Sequence, residues 1–417
     1  MKTAFTIATA DYLAHAKTVA DSFVEHNPDY KFVIGLLDKV NERFELNDFS
    51  PHEVVEVERL NISYFAELYE RYNMFELSNA LKPFFAEYLY QRSMDITIII
   101  YVDSDMMVFD KFSFVEECLK KNAICLTPHI LKTIPKDDLW PDESVFLNAG
   151  IYNGGFFAIK KEKESIQFLN WWKEKLRYYC FTHQSIGLFV DQLWLNFVPL
   201  FFKKVVIIKH PGYNVAAYNL HERNITSLDK KFQVNEKYPL VLYHYTGYDL
   251  DHPDTLSKYQ SRFSFNYRTD IKPLYDVYKD QLEQNKFKHF SQLVPFYKHF
   301  REKKLSDEEQ AKLELERHRA QELIDTVNKA VGPAVEQTVN QAIGPAIDQA
   351  IGPAVEQAVE QAVNQAIDQA LEPTVKQAVN RAIGPAIDQV LWPAVDQAVE
   401  NQSLLGIMKR IKKRIIK

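Results

Sequence analysis

Glycine is scarce in this chain. It supplies 12 of 417 residues, about 3% against an ordinary share near 7%, which excludes collagen-like and Gly-rich low-complexity sequences. Cysteine is scarcer still, with only Cys118, Cys125 and Cys180. Three cysteines cannot build a disulfide framework, and no CxxC pair offers a zinc or redox motif. A reducing compartment is the simpler reading. Long apolar runs are also missing. Residues 96–102 and 205–208 are among the strongest, far short of the roughly 20 needed to span a bilayer. The first eight residues carry one positive charge, and Asp11 soon follows, so no secretory signal is expected. Positive charge is not in excess either. Lys and Arg total 50 against 56 Asp and Glu, for a net charge of −6. No nucleic-acid partner working through bulk charge is expected.

What is present is a globular composition, 46% hydrophobic and 25% charged, with 28 Phe and 22 Tyr. Wholesale disorder is thereby excluded. Up to about residue 300, short β-branched or aromatic runs alternate with amphipathic stretches. Residues 5–8, 32–37, 54–57, 96–102, 155–159, 205–208 and 240–244 read as strands, and 12–25, 78–91 and 163–179 as helices. That alternation predicts an α/β domain over 1–300 with a largely parallel sheet and its ligand at the carboxyl ends of the strands.

The remainder is unlike this domain. Residues 301–333 read as a charged helical stalk, opened by the capping box Ser306-Asp307-Glu308-Glu309. Residues 334–401 form consecutive tetrads such as Ala346-Ile347-Asp348-Gln349. Pro333, Pro345 and Pro353 recur as Pro373, Pro385 and Pro393, each 40 residues later, which marks an internal duplication. Four residues advance an α-helix by about 400°, so the aliphatic stripe drifts by about 40° per tetrad. Each Pro can reset it. The array reads as a helical spacer, as a homo-oligomerisation region of coiled-coil type, or as a segment lying on a membrane. In 402–417, Leu404, Ile407, Met408, Ile411 and Ile415 share one helical face, and six of the last nine residues are basic. A basic amphipathic helix is expected to anchor on anionic lipid.

The segment that carries chemistry is Ile96-Thr97-Ile98-Ile99-Ile100-Tyr101-Val102-Asp103-Ser104-Asp105. It reads as a strand buried on both faces, with two carboxylates at its carboxyl end. Such carboxylates repel one another unless a cation joins them. Hard oxygen ligands suit Mg²⁺ or Mn²⁺, and either ion can bridge a diphosphate.

This pattern resembles the DxD motif of GT-A fold glycosyltransferases, in particular the glycosyltransferase family 8-like group and related bacterial enzymes. The resemblance covers 1 to about 265. It is carried also, in order, by Ala8-Thr9-Ala10-Asp11-Tyr12, Leu81-Lys82-Pro83, Thr127-Pro128-His129, Asn148-Ala149-Gly150-Ile151-Tyr152-Asn153-Gly154-Gly155-Phe156, Val190-Asp191-Gln192, Gly212-Tyr213-Asn214-Val215-Ala216 and His244-Tyr245-Thr246-Gly247. It implies a GT-A catalytic domain, a Rossmann-like mixed sheet, ahead of the helical repeat region. It implies Asp103, Asp105 and His244 as metal ligands, with Mn²⁺ favoured over Mg²⁺ by the imidazole. It places Ala8, Thr9, Asp11 and Tyr12 at the nucleoside, and Ser104, Asn153, Gly154, Gly155 and Gly247 around the donor. Asp191 and Gln192 fall at the donor sugar and its anomeric carbon.

Several positions keep a plainer reading. Asp11 also suits the N-cap of the next helix. Lys82 either faces the phosphates or the sugar, or is a solvated helical lysine. His244 also suits a core histidine closing a strand, Asn153-Gly154-Gly155 a bulged strand, and Asp191-Gln192 a polar pair opening a helix. The family's Lys six residues after the His is replaced by Leu250, and Lys258 is the nearby substitute. The resemblance therefore implies a metal-dependent transferase moving sugar from a UDP-sugar donor to a polysaccharide, lipid-linked or protein acceptor, with retention implied by the family 8 likeness only. It would be cytoplasmic and peripheral on the inner face of the cytoplasmic membrane. The alternative is a non-catalytic nucleotide-sugar-binding scaffold that oligomerises through 334–401.

Overall fold

The computed structural model of the protein describes residues 1–40, 44–228 and 231–298. The expected stalk, tetrad array and basic terminal helix lie outside the described residues. Those described belong to one compact unit, Met1–Lys304.

In chain order the first seven strands are β1 (Lys2–Ala8), β2 (Tyr30–Leu36), β3 (Glu53–Glu56), β4 (Ile98–Val102), β5 (Met106–Val108), β6 (Ile124–Pro128) and β7 (Tyr152–Lys160). Val205–Ile207 joins six of these in a seven-stranded sheet, in the order Val205–Ile207, β6, β7, β4, β1, β2, β3. β1 pairs in parallel with β2 and β4, β2 with β3, and Val205–Ile207 with β6. β7 departs from the expected pattern, because it runs antiparallel to both neighbours. The link from β6 to β7 stays at the carboxyl end of the sheet, where the His129 N–H bonds the Ile151 carbonyl at 3.0 Å. A return without a crossover reverses the strand, so the sheet is mixed and still largely parallel, with six strands running one way and β7 against them.

Among the described residues the helices of seven residues or more are α1 (Leu13–His26), α2 (Phe65–Arg71), α3 (Met74–Ala80), α4 (Lys82–Arg92), α5 (Ser113–Lys121), α6 (Glu143–Ala149) and α7 (Lys163–Tyr179), followed by Lys272–Gln284. The single helix expected over 78–91 is two. Asn73 and Glu76 close a capping box at the start of α3. Pro83, which has no N–H, sits in the first turn of α4, where a proline is tolerated because that donor has no helical partner. The break at Leu81 makes Lys82 the opening residue of α4.

The apolar run of β4 is explained by burial on both sides. Ile99 and Tyr101 enter a core with Phe5, Phe85 of α4 and Trp172 of α7. Ile100 and Val102 enter a second core with Phe23 of α1 and Phe156. A smaller sheet orders Val215–Ala216, Leu242–His244 and β5. Its antiparallel register sets His244 opposite Met106, one residue beyond Asp105.

Candidate functional site

β4 ends at Val102, and the chain turns through Asp103-Ser104-Asp105 before β5 begins. The turn is closed by the Met106 N–H on the Asp103 carbonyl at 3.2 Å and tied to β7 by the Asp103 N–H on the Gly155 carbonyl at 2.8 Å. On the other side the Tyr245 N–H bonds the Asp105 carbonyl at 2.9 Å. Two strand ends from different sheets therefore meet. One ligand atom each from Asp103, Asp105 and His244 lies within 4.8 Å of the others. His244 Nε2 is 3.2 Å from Asp105 Oδ1. Burial works against the charge on either group, but their mutual attraction prevails. Asp105 is held below the usual carboxylate range and His244 above the usual imidazole range. His244 does close a strand, but it contacts a carboxylate there rather than only apolar core.

A second ionic cluster lies against the first. Lys82 is 2% exposed and Asp191 1%, which excludes the reading of Lys82 as a solvated helical lysine. Its ammonium donates to Asp191 Oδ2 at 3.0 Å and to the Gly154 carbonyl at 2.9 Å. It lies 3.4 Å from Asp103 Oδ1 and 4.8 Å above the Tyr101 ring. Burial alone would lower the Lys82 pKa, but Asp103 and Asp191 raise it above the ordinary value. Lys82 is a fixed cation. Burial pushes Asp191 up to about 6, opposed by Lys82 and reinforced by Asp103. The Tyr101 hydroxyl donates to Asp103 Oδ1 at 2.5 Å, so this carboxylate serves both clusters.

Gly154 and Gly155 make this contact possible. A Cβ on Gly155 would lie 2.7 Å from Asp103 Oδ2, Asn153 Oδ1 and Met106 Cε, and one on Gly154 would lie 2.8 Å from Asp191 Oδ2. Side chains at either position would occupy the space of the carboxylates. Both lie inside β7, whose pairing with β6 shifts register between Leu126 and Pro128. Asn153 Oδ1 accepts the Gly155 N–H at 2.6 Å, while its amide donates to the Tyr218 hydroxyl at 2.7 Å and stands 3.3 Å from His244 Nδ1. Asn153 thus orients the imidazole from the side facing away from Asp105.

Gln192 Oε1 accepts the Gly154 N–H at 3.0 Å, and Nε2 donates to the Ala149 carbonyl at 2.9 Å. The pair Asp191-Gln192 does precede a short helical turn, Leu193–Phe197, but no side-chain cap bond is made there. Two supporting residues, Trp172 and Tyr218, carried no signal in the sequence, and a third, Val190, stood in a quoted segment with no role given to it. Trp172 donates from Nε1 to the Asp191 carbonyl at 3.2 Å. Val190 holds φ at 37°, a left-handed conformation costly for a β-branched residue, which aims Asp191 inward. Tyr218 links Asn153 to Asn214 Oδ1, at 3.1 Å from the latter.

The N-terminal residues form the rim. The Ala8 carbonyl accepts the Leu37 N–H at 2.8 Å. Asp11 lies in a 3₁₀ turn, Ala10–Tyr12, and α1 starts after Tyr12 without a side-chain cap. Asp11 is therefore not the N-cap of α1. Its carboxylate instead accepts from the Thr9 hydroxyl. The Tyr12 ring stacks on His15 at 4.8 Å. Burial, followed by the nearby Asp105 carboxylate, pushes the Tyr12 hydroxyl up to about 12. The Lys258 N–H bonds the Gly247 carbonyl at 2.9 Å. The Lys258 ammonium lies over the Tyr259 ring at 5.2 Å and acts on Asp249. Neither of those contacts belongs to the Asp103 cluster.

No protein-family model matches the chain. It is 23% identical over 250 residues to the uncharacterized protein YfnF of Bacillus subtilis (strain 168), spanning 60% of this chain and 80% of that protein. It is 22% identical over 250 residues to YfnD of the same strain, also uncharacterized, spanning 59% and 77%. Among solved structures it is similar to the galactosyltransferase LgtC in complex with donor and acceptor sugar analogues, at 16% identity and a TM-score of 0.40, covering 72% of this chain and 100% of that one. It is also similar to the glycosyltransferase GlyE of Streptococcus pneumoniae TIGR4, at 15% identity and 0.40, covering 70% and 65%. The bifunctional glycosyltransferase WbbM is a third, at 13% identity and 0.39, covering 72% and 51%.

Proposed function

We propose that the protein is a metal-dependent glycosyltransferase using a UDP-sugar donor. The observation that carries this reading is the convergence of Asp103, Asp105 and His244 within 4.8 Å at the carboxyl end of a buried strand, where an open α/β sheet holds its ligand. The donor set fits a divalent ion: two carboxylate oxygens and one imidazole nitrogen, the last favouring Mn²⁺ over Mg²⁺. Such an ion, when bound, would neutralise charge developing on the leaving diphosphate.

The chain's own residues do the remaining work. Lys82 stays charged and holds Asp191, which is ionised at neutral pH and suited to accept a donor-sugar hydroxyl. Gly154 and Gly155 leave the space beside both carboxylates free of side chains. Gln192 is pinned at both ends of its amide to the backbone of β7 and α6, so its position is preset and little ordering is lost when substrate binds. Asn153 keeps the His244 ring oriented. Thr9, Asp11 and Tyr12 form the rim for the nucleoside, and Ser104 and Gly247 border the donor. Lys258 is assigned to the diphosphate side. Retention of configuration and a polysaccharide, lipid-linked or protein acceptor complete the reading. Residues 334–401 would assemble the chain, and 404–417 would hold it on an anionic membrane.

The test is UDP release over a panel of UDP-sugars, with and without Mn²⁺, comparing the wild type with Asp103→Asn. We expect Mn²⁺-dependent release for at least one donor and a loss of about 100-fold or more in the variant. Donor binding without turnover would favour the scaffold reading. No binding and no release of any donor would sink the assignment.

A further inference from the structure

Two stretches of chain leave the candidate site and meet again outside it. One is residues 129–151, between β6 and β7, closed at its neck by the His129 N–H on the Ile151 carbonyl at 3.0 Å. It contains α6, whose Ala149 carbonyl accepts from Gln192 at 2.9 Å. The other runs on from His244 to residue 262. There the Ser257 hydroxyl donates to the Thr246 carbonyl at 2.7 Å and the Lys258 N–H to the Gly247 carbonyl at 2.9 Å. Gly247 holds φ at 73°, and a Cβ there would lie 2.6 Å from Tyr259 Cδ2. The Tyr259 ring therefore lies against the backbone just past His244. Tyr259 and Asp249 also stand among the groups that raise the Tyr12 hydroxyl, after burial, Asp105 and Asp11. This stretch thus runs along the nucleoside rim.

Arg262 joins the two. Its Nε and Nη2 donate to the two carboxylate oxygens of Asp137, at 3.0 and 2.7 Å. Nη2 also donates to the Leu139 carbonyl at 3.0 Å, and Nη1 to the Pro141 carbonyl at 2.9 Å. Beside it the Ser261 N–H bonds the Trp140 carbonyl at 2.9 Å, and the Trp140 N–H bonds Ser261 Oγ at 3.0 Å. The Arg262 side chain is 5% exposed, although residues 136–140, 258, 259 and 261 around it are exposed. A buried guanidinium, more than apolar packing, holds this junction. Burying such a pair adds little net stability, because desolvation offsets the attraction. What the forked, charge-assisted contact adds is one fixed geometry for two surface loops that both reach the site.

We propose that Arg262 is a positioning residue for the candidate site: by clasping 137–141 it holds residues 245–262 over the mouth, keeping Gly247 and Tyr259 beside the donor and limiting the entry of water. The proposal rests on the glycosyltransferase reading. Arg262 acts through the segment it holds and touches no reacting group.

The full chain carrying Ser104→Cys in a Cys118→Ser background reports closure without any substrate. Cys125 and Cys180 are buried, so a thiol reagent reads position 104, between the two carboxylates. Arg262→Met should speed this labelling about tenfold. Asp137→Asn, at an exposed position and checked for folding by circular dichroism, should do the same. With Ser104 and Cys118 in place, both variants should raise donor KM about tenfold, change kcat less, and increase the share of donor lost to water. Arg262→Lys should not rescue, because an ammonium cannot make the fork. Labelling at the wild-type rate in both variants would overturn the proposal, whatever the donor assays show. Faster labelling with donor KM and water loss unchanged would overturn the positioning role. Faster labelling in a protein whose wild type binds and releases no donor would uphold closure by the clasp and overturn the glycosyltransferase reading instead.

Discussion

Replacing Lys82 by Met probes the link between stability and the candidate site. Met preserves the length and packing of the stem and deletes the ammonium. The wild-type ammonium lies 3.0 Å from Asp191 and 3.4 Å from Asp103, and the Asp191 side chain is only 1% exposed. Removing one partner of such a buried pair costs about 3–5 kcal/mol, because a charge is left uncompensated. The lower end is expected, since the Asp103 side chain is 27% exposed and can be hydrated. The loss should depend on pH with a definite sign. Burial already pushes Asp191 up to about 6 with Lys82 present, and without Lys82 it rises further. A carboxylate raised in the folded state binds its proton more tightly there than in the unfolded chain. Its contribution is therefore favourable below the unfolded value of about 4 and is lost as pH rises through the folded value. Urea unfolding of wild type and Lys82→Met should differ by about 3 kcal/mol at pH 8 and by clearly less at pH 5. Lys82→Met/Asp191→Asn should recover most of the loss at pH 8, because the buried group is then neutral. An equal loss at both pH values with no rescue by Asp191→Asn would refute the account of Lys82 as a buried counter-ion.

Other perturbations reach the same site from different sides. Gly155→Ala places a methyl group 2.7 Å from Asp103 Oδ2. It should cost about 1–3 kcal/mol in stability and weaken Mn²⁺ binding measured by competition with a fluorescent chelator. Asn153→Ala removes a partner of Tyr218 and of His244 Nδ1. Mn²⁺ affinity should fall about 10–100-fold, and Asn153→Ser should restore little because it is too short to reach both. Burial pushes His129 down to about 4, so it is neutral in the fold and takes up its proton readily only when unfolded. Its contribution is present above about pH 6.5 and is lost as pH falls toward 4, by up to about 3 kcal/mol. In pH-dependent urea unfolding His129→Gln should flatten that acid limb. A slope unchanged from wild type would exclude His129 as its source.

The strand pattern was legible where burial is two-sided. Ile98–Val102 reads as a strand because both faces meet apolar cores, so every position is apolar and no alternation competes. Lys163–Tyr179 was legible for the complementary reason, a single apolar stripe at helical spacing. The break at Leu81 was harder, since the residues on either side continue a helical pattern and only the place of Pro83 in a new first turn interrupts it. The direction of β7 was not legible. Residue pattern is the same for parallel and antiparallel strands, and direction is set by whether the connection crosses the sheet.

The sequence by itself determined that two carboxylates stand at the end of a buried strand, that three of the few glycines cluster at 150, 154 and 155, and that residues beyond about 300 are of another composition. These are local properties, encoded in residues a few positions apart. The tertiary structure alone decided that Lys82 is a buried cation rather than a solvated one, that Asp11 pairs with Thr9 rather than capping α1, and that Trp172, Val190 and Tyr218 hold Asp191 and Asn153 in place. Lys82 and Asp191 are 109 residues apart and Asn153 and His244 are 91 apart. No pattern in a window of a helix or strand can register such pairs. Their charge states and orientations arise only when separate strand ends are packed together and water is removed from between them.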